Sequence, residues 1–551
     1  MRPGSRSVIV RGFRRDAAVS ADDRMTAPSL ATFFLNSVDA WPERPALWAE
    51  GDALTYRELF DRAAAIAATL NRSAPGSDDS SFVALFARRS VDAYAGLLGA
   101  LVAGRAYLPL SPKFPAERNA AMMERAGTAM LVVDAGCLED ARALAQITNG
   151  PLTVILPSLP ASAWGEARAQ DRVIGRADLE PPLSLAAAQI TADAQKPDDF
   201  AYLLFTSGST GQPKGVAVTH ANVTTYIRSV IERYAPTPDD RFTQLFELTF
   251  DPSVQDMFSC WGGGACLYSV PDRTVMAPDA FVAEHGITIW YSVPAIAGMM
   301  NQLGRLKPGR LPGLRWMLFC GEALPTSLLP VLRAAAPNAV LENLYGPTEA
   351  TIIATIWRDD PNVPPVTMPA APIGHPVPGM RAMILDEDGQ PTADGELVVG
   401  GPQITPGYWR APELTAERFF EADGVRWYRT GDRVARDPIH GILYFGRMDQ
   451  QVKLRGFRVE LGEIEKAVRE AAGTDLVAVV PWRRGVGNTA GGVIAYVTGA
   501  QTTPTAIRRF CEERLPDYMV PREIRELADM PLSASGKIDR RFLEDHGLKQ
   551  D

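Results

Sequence analysis

Between Phe82 and Cys320, short apolar runs alternate with longer helix-compatible segments, and this alternation restricts the fold more than any other feature of the chain. The runs are FVALFA from Phe82, MLVVD from Met130, LTVIL from Leu152, AYLLF from Ala201, ITIWYSV from Ile287 and LRWMLFC from Leu314. Such runs suit strands buried on both faces, with the intervening helices as the crossovers that parallel strands require. The expected fold class is α/β. A chain of 551 residues also exceeds what one core usually spans, so more than one domain is expected. Proline density in PNVPPVTMPAAP, Pro361 to Pro372, marks a loop, and the shorter runs GELVVGG and RWYRTGD beyond it suit a smaller β-rich unit. After GRMD the pattern changes again. ELGEIEKAVREAA places Leu461, Ile464, Val468 and Ala471 on one helical face, followed by strands LVAVVP and GGVIAYVTG and a helix at about Thr505 to Leu515, an α+β unit in its own right.

With 56 basic and 65 acidic residues the formal net charge is -9, and no basic stripe with interleaved aromatics is present, which excludes nucleic acid as an expected partner. The five cysteines form no CxxC pair and suit reduced cytosolic thiols. The five histidines lack metal-ligand spacing. No apolar run reaches the roughly 18 to 20 residues of a membrane span, so a soluble, cytoplasmic protein without a membrane partner is expected. The opening MRPGSRSVIVRGFRRDAAVSADDRM is arginine-rich but too short in its apolar part for a secretory leader, and Met25 is an alternative start.

LLFTSGSTGQPKGV, Leu203 to Val216, is an apolar run followed by a glycine and hydroxyl cluster and one lysine. A Walker P-loop needs glycine before its lysine and a hydroxyl after it. Here Pro213 precedes Lys214 and Gly215 follows, so that reading fails. Thr206, Ser207, Ser209 and Thr210 offer hydroxyls, while Gly208, Gly211 and Gly215 let backbone N–H groups approach an anion. A polyphosphate is the expected guest; a flexible surface turn is the bland alternative.

SGSTGQPKG resembles the signature loop of the adenylate-forming superfamily, which includes acyl-CoA synthetases, luciferases and the adenylation domains of nonribosomal peptide synthesis. Companion motifs stand in that family's order: LTYRELFDRAA from Leu54, LGALVAGRAYLPLSP from Leu98, FELTFDPSVQDMF from Phe246, NLYGPTEAT from Asn343, GELVVGGPQITPGYW from Gly395, YRTGDRV from Tyr428, GRMDQQVKLRGFRVELGEIE from Gly446, LPDYMVPRE from Leu515 and PLSASGKIDR from Pro531. The resemblance implies a disordered extension over residues 1–27, a large ATP- and amino-acid-binding domain over 28–448 and a mobile small lid domain over 449–551.

It further implies a reaction in which a substrate carboxylate attacks the α-phosphorus of ATP and expels pyrophosphate, so that two anions must be brought together by cations and donors. By that resemblance, the loop from Thr206 through Ser207, Gly208, Ser209, Thr210, Gly211 and Lys214 holds the β and γ phosphates. Tyr345 offers an aromatic face to adenine, Asn343 and Gly346 belong to the same nucleotide site, Thr348 meets the α-phosphate, and Glu349 a Mg²⁺ ion. Asp432 with Arg447 receives the ribose hydroxyls. Lys537 bridges carboxylate, ribose and α-phosphate, and is expected to be indispensable where Lys214 is only helpful. Asp449 is the expected hinge, about which the small domain swings to present VKLRGFRVE for thioester formation.

Asp251 matches the aspartate that pairs with an α-ammonium in amino-acid-activating members; a carboxylate buried without a cation is costly, which favours an amino acid over a fatty or aryl acid. The remaining pocket positions implied are Pro252, Gln255, Tyr291, Leu318, Cys320, Leu344, Ile352 and Ile353. They suit a small or medium apolar side chain. The pattern resembles proline-activating enzymes, so L-proline is the expected substrate; D-alanine, for which carrier-protein ligases place a cysteine at the position of Cys320, and branched aliphatic residues are the alternatives. The acceptor is expected to be the phosphopantetheine thiol of a carrier protein supplied in trans, because no carrier-sized segment follows Lys537. A CoA ligase of the same fold and an inactive adenylate-binding scaffold are the competing readings.

Overall fold

The structure, a computed structural model, describes residues 29–73, 82–208, 213–449, 451–532 and 538–548. Two large sheets form the frame. A seven-stranded sheet runs Arg172–Ile174, Thr153–Ile155, Met130–Val133, Phe82–Phe86, Ala106–Leu110, Phe200–Thr206, Lys214–Thr219, parallel apart from its last pair. A nine-stranded sheet is parallel from Val340–Tyr345 through Trp316–Phe319, Ile289–Ser292, Arg241–Gln244 and Cys266–Ser269 to Pro45–Ala49, with antiparallel strands closing both ends. All six apolar runs of the sequence are strands of these sheets. Phe82–Phe86, Met130–Val133 and Ile289–Ser292 are buried at every residue, which is why they lack polar alternation: both faces are covered. Helix Val91–Val102 is buried all round as well. Its Gly99 allows that depth, since a Cβ there would lie 2.8 Å from Ile66 and 2.9 Å from the Ala63 carbonyl.

In parallel sheets, crossover connections leave the carboxyl ends of the strands free to carry ligand-binding loops. Thr206, Ser292, Phe319 and Tyr345 all stand at such ends. A third sheet, antiparallel, joins Arg381–Leu385, Asp394–Gly400, Val425–Asp437, Phe419–Ala422 and Gly441–Arg447. It is the smaller β-rich unit expected after the proline loop, and its register sets Asp432 opposite Arg447.

The small C-terminal domain has a sheet of its own in the order Phe457–Glu460, Gln451–Leu454, Thr489–Val497, Val477–Arg484, with Glu523–Glu526 also beside Thr489–Val497. Alternation divides its two faces. Val477, Val479, Val493 and Ala495 pack with Leu461, Ile464 and Val468 of helix Leu461–Ala472. Ala478, Val480, Ile494 and Tyr496 pack with Leu543 and Ile538 on the other side. The helix expected at about Thr505 runs Pro504–Arg514, opened by a Thr503 side-chain cap. All five cysteines are buried and free. Among the described residues, no helix is long and apolar enough to cross a membrane. The segment 1–27 lies outside the described residues.

Candidate active site

One cavity collects residues from both large sheets, the antiparallel sheet and the small domain. Its wall includes Thr206, Ser207, Asp251, Tyr345, Thr348 and Asp432 from the large domain, and Lys453 and Arg458 from the small one. Four site residues expected from sequence carry a buried polar atom without a hydrogen-bond partner: Thr206 Oγ1, Asp251 Oδ2, Asn343 Oδ1 and the Tyr291 hydroxyl. Buried polar atoms are normally satisfied, so each marks a place where a ligand can supply the missing partner. The chemistry of the first three fits a phosphate oxygen at the Thr206 hydroxyl, an ammonium at the carboxylate and an exocyclic amine at the amide oxygen.

The surroundings of Asn343, Tyr345 and Asp432 are tightly organised. Asn343 is oriented by its Nδ2, which donates to the Pro372 carbonyl at 2.8 Å. Tyr345 donates its hydroxyl to Asp432, and Arg447 donates to the same carboxylate at 3.1 Å. Arg447 also grips Asp449 through both oxygens, at 2.9 Å and 2.5 Å, so Asp432 and Asp449 share one guanidinium. Gly346 permits the turn: a Cβ there would meet the Ile352 carbonyl at 2.3 Å. Lys537, Ser209, Thr210 and Gly211 lie outside the described residues.

Asp251 is the N-cap residue of helix Pro252–Gly262, yet its side chain makes no cap hydrogen bond. The carboxyl is 8% exposed as a residue. Burial, with Glu349 also nearby, raises its pKa to about 7 even though Thr348 and the Ile352 amide pull the other way. Pro252, Cys320, Ile352 and Ile353 line the cavity beside it. The other expected pocket residues stand a layer behind. Gln255 accepts from the Tyr226 hydroxyl at 2.5 Å, Tyr291 packs edge-on to Phe246 at 4.9 Å, and Leu318 and Leu344 are core residues. The free space next to Asp251 is therefore smaller than the full set of positions suggests.

Glu349 departs most from expectation. It is fully buried, and its carboxylate is already surrounded by cations and a donor. Tyr408 donates to Oε1 at 2.7 Å, Arg458 donates to Oε2 at 3.1 Å, and Lys214 Nζ is 3.7 Å from Oε1. Burial would raise its pKa, but Arg458, Lys214 and the Tyr408 hydroxyl hold it down at about 2. Lys214 itself is lowered to about 8 by burial and by Arg458, against the pull of Glu349. A Mg²⁺ ion needs several oxygen ligands at about 2.1 Å. Both oxygens here face cations or a donor, and no group of three metal-ligating side chains exists among the described residues. With the small domain in this position, the residues do not fit the metal.

Arg458 and Lys453 are the functional candidates that the sequence singled out only as part of a segment. They sit directly opposite each other on the hairpin Gln451–Leu454 and Phe457–Glu460. Opposed like charges destabilise a hairpin unless an anion lies between or beside them; that pairing, visible once the hairpin register is assumed, is the signal. Burial lowers the pKa of Lys453. The hairpin is fastened to the large domain by main-chain contacts too. Ser207 donates to the Arg458 carbonyl at 2.7 Å and accepts from the Glu460 N–H at 3.2 Å, while Gly456 N–H donates to Glu322 at 2.5 Å. Arg118 and Glu463 form a nearly buried ion pair at 2.5 Å across the same interface.

These features define an enzyme that holds an anion-rich ligand between a doubly covered α/β frame and a movable-sized small domain, and the comparisons agree. The chain belongs to the AMP-binding enzyme family, which it matches over residues 34–409, with the family's AMP-binding enzyme C-terminal domain matching residues 463–537. It is 34% identical to the L-proline--[L-prolyl-carrier protein] ligase of Pseudomonas fluorescens, covering 92% of this chain and 97% of that one. It is 30% identical to the D-alanine--D-alanyl carrier protein ligase of Bacillus cytotoxicus, covering 92% and 98%. Other relatives are far longer: the chain is 33% identical to tyrocidine synthase 3 of Brevibacillus parabrevis over 98% of its own length but spans only 8% of that protein. Among solved structures, the Vibrio cholerae adenylation domain AlmE in complex with glycyl-adenosine-5'-phosphate superposes with a TM-score of 0.85 at 28% identity, covering 98% of this chain and 100% of that one.

Proposed function

We propose that the protein activates a small amino acid as its aminoacyl adenylate, with ATP as co-substrate and pyrophosphate as the leaving group, and then passes the aminoacyl group to the phosphopantetheine thiol of a separate carrier protein. The observation that carries the amino acid is Asp251: a buried carboxyl with an unpartnered oxygen, in the same cavity as the nucleotide-side residues. Its ionised form is costly until an ammonium pairs with it. The reading includes the division of the chain at Asp449 into a large domain and a lid. It gives Thr206 and Lys214 to the leaving phosphates, Asp432 and Arg447 to the ribose, and Lys537 to the α-phosphate during activation.

Thioester formation uses the position seen here. Lys453 and Arg458 bring two cations to the cavity, where the phosphate of an adenylate carries the charge that departs with AMP. An apolar passage lined by Val275, Met276, Val293 and Ile296 shares Phe114, Thr249, Phe250, Phe457 and Tyr518 with the reaction cavity. A long, thin thiol arm suits such a passage better than a globular acceptor does. Two relatives of matching length are carrier-protein ligases by name, which supports a carrier as acceptor.

Few residues face the side-chain space beside Asp251, so small side chains fit best; L-proline is the first to test, followed by alanine of either hand, glycine and valine. The deciding experiment is ATP–pyrophosphate exchange across the amino acids and a set of fatty and aryl acids. Exchange that depends on one small amino acid is expected. Dependence on a fatty acid would replace this reading with an acyl-CoA ligase.

A further inference from the structure

Behind the amino-acid side of the cavity, two neighbouring strands and the helix over them carry buried polar groups that the proposed reaction does not use. Gln244 ends strand Arg241–Gln244, and Tyr291 lies on the adjacent Ile289–Ser292. Phe242 pairs there with Ile289, and the Tyr291 N–H donates to Thr243 Oγ1 at 3.2 Å. Gln244 and Tyr291 stand two residues beyond that pair and so point to one face, which Phe242 and Ile289 share with Val254 and Met257 of helix Pro252–Gly262. Asp256 belongs to that helix, and Arg89 enters from just before helix Val91–Val102. All four side chains are buried, and Gln244 Oε1 and Nε2, the Tyr291 hydroxyl, Asp256 Oδ2 and Arg89 Nε have no hydrogen-bond partner among the described residues.

Their neighbours are satisfied. Tyr94 donates to Ser269 Oγ at 3.0 Å, and Ser269 Oγ donates to the Arg89 carbonyl at 3.0 Å. The terminal nitrogens of Arg89 serve the Gln244 and Leu245 carbonyls, at 3.3 Å and 2.7 Å, and the Asp272 carboxylate. Burial raises the pKa of Asp256 well above the usual carboxylate range, against the pull of Arg89, and a direct bond between the two would relieve that cost. No such bond forms. The set holds one cationic and one carboxyl group with an amide and a phenol, so its complement is neutral, and it offers donors and acceptors together. A buried water typically makes about three hydrogen bonds to groups of this kind. The site also adjoins the amino-acid pocket: burial raises the pKa of the Cys320 thiol, the Tyr291 hydroxyl and Asp256 act on it too, and Cys320 lines the cavity.

We propose that Arg89, Gln244, Asp256 and Tyr291 form a second polar site behind Cys320 that takes a small neutral group able both to donate and to accept hydrogen bonds, either a water molecule or the hydroxyl or amide tip of a substrate side chain that reaches past Cys320. Arg89, Gln244 and Asp256 lie outside the pocket positions expected from sequence. The substrate source rests on the amino acid activation proposed above; the water source does not.

The test has two arms, both on the full chain. A crystal structure of the substrate-free enzyme should show a water hydrogen-bonded to at least about two of the four side chains. Asp256→Asn keeps the shape and the hydrogen-bonding capacity and should keep that water, whereas Asp256→Leu should lose it. Gln244→Met, made alongside in case Asp256→Leu does not fold, removes both unpartnered amide atoms at similar volume and should also lose it. In the second arm, ATP–pyrophosphate exchange compares threonine with valine and asparagine with leucine, pairs of similar shape that differ in polarity. The ratio of kcat/KM within each pair is taken on one sample, so it does not depend on the fraction folded. A substrate tip in the site predicts that wild type and Asp256→Asn favour the polar member, and that the ratio swings by about tenfold toward the apolar member in Asp256→Leu and Gln244→Met. An unmoved ratio, or no exchange with either pair, assigns the site to water when the water is present in wild type and lost in those two variants. The proposal is overturned if the four side chains bond to one another with no water between them and the ratio is unmoved, or if the water stays in place in Asp256→Leu or Gln244→Met. Exchange with no amino acid at all would end the reading of the previous subsection and leave the crystallographic arm to decide this one.

Discussion

Asp251 sits where burial and function oppose each other. Burial raises its pKa to about 7, so near neutrality a large share of the empty enzyme holds it protonated, and the ammonium of a substrate must displace that proton to form the ion pair. Binding therefore weakens as pH falls. The KM for the amino acid, measured by exchange, should fall by about tenfold from about pH 6 to about pH 8 and level off above that. Asp251→Asn should flatten this profile and raise KM by about 10- to 100-fold, the cost of losing a charged hydrogen bond of about 1.5–3 kcal/mol. A wild-type profile as flat as that of the variant would dismiss Asp251 as the amine's partner. The stability sign is separate: an acid whose native pKa lies above its unfolded value keeps a proton that the unfolded chain releases, so its contribution declines as pH rises from about 4 to about 7. The identity of such residues was legible because motifs fix them one by one. Their partners were not. Glu349 reads as a metal ligand in YGPTEAT, while the guanidinium that holds it comes from 109 residues further on, and Gln255 turns to Tyr226 for reasons of packing that no local pattern states.

At the scale of elements, the hairpin that meets the cavity depends on its turn. Arg455 and Gly456 have φ of 52° and 88°, the left-handed pair of a two-residue turn whose twist matches the flanking strands. Gly456 approaches the large domain so closely that a Cβ would lie 2.7 Å from Val293 Cγ1. Gly456→Ala thus meets two obstacles, a disfavoured φ costing about 1 kcal/mol and a clash with a β-branched side chain that has little room to yield. The clash exists only when the hairpin is docked. The variant should lose aminoacyl transfer to a pantetheine thiol by more than about tenfold while keeping ATP–pyrophosphate exchange close to wild type. Parallel loss of both would show that Gly456 matters to the fold rather than to docking. Strands as elements were readable from their apolar runs, and helix Leu461–Ala472 from its periodic face. What the pattern could not supply was the burial of Glu463 and Glu465 on that helix: Glu463 pairs with Arg118 of the large domain and Glu465 with Arg540, both long-range.

On the scale of the whole molecule, the reading proposed above gives the small domain two chemistries on different parts of its sheet. The hairpin strands form one edge, and Val477–Arg484 forms the other, with Thr489–Val497 between them. Ile538, the residue after Lys537, packs with Ala478 and Val480 of that far strand, on the face away from the helix-covered core. Strand spacing alone separates Gln451–Leu454 from Val477–Arg484 by about 10 Å, so the docked hairpin and Ile538 lie on different parts of the sheet, and if Lys537 acts in activation as proposed, the domain has to rotate between the two steps. Asp449 lies at the junction, its carboxylate held by Arg447; burial alone would raise its pKa, and that guanidinium lowers it. Two functions of Asp449 can be separated. Asp449→Ala removes the carboxylate and leaves φ free, whereas Asp449→Pro also fixes φ near about -65°. If Asp449 is the point of rotation, Asp449→Ala should change exchange and transfer by similar, modest factors. Asp449→Pro should cut transfer by more than about tenfold beyond its effect on exchange, because the turn between the two arrangements needs a large backbone change at a few residues. Pre-steady-state measurement of adenylate formation and of thiol loading in the same variant distinguishes the outcomes. Equal loss of both half-reactions in Asp449→Pro, or a transfer defect already complete in Asp449→Ala, would place the rotation elsewhere and leave Asp449 as the residue that orients Arg447.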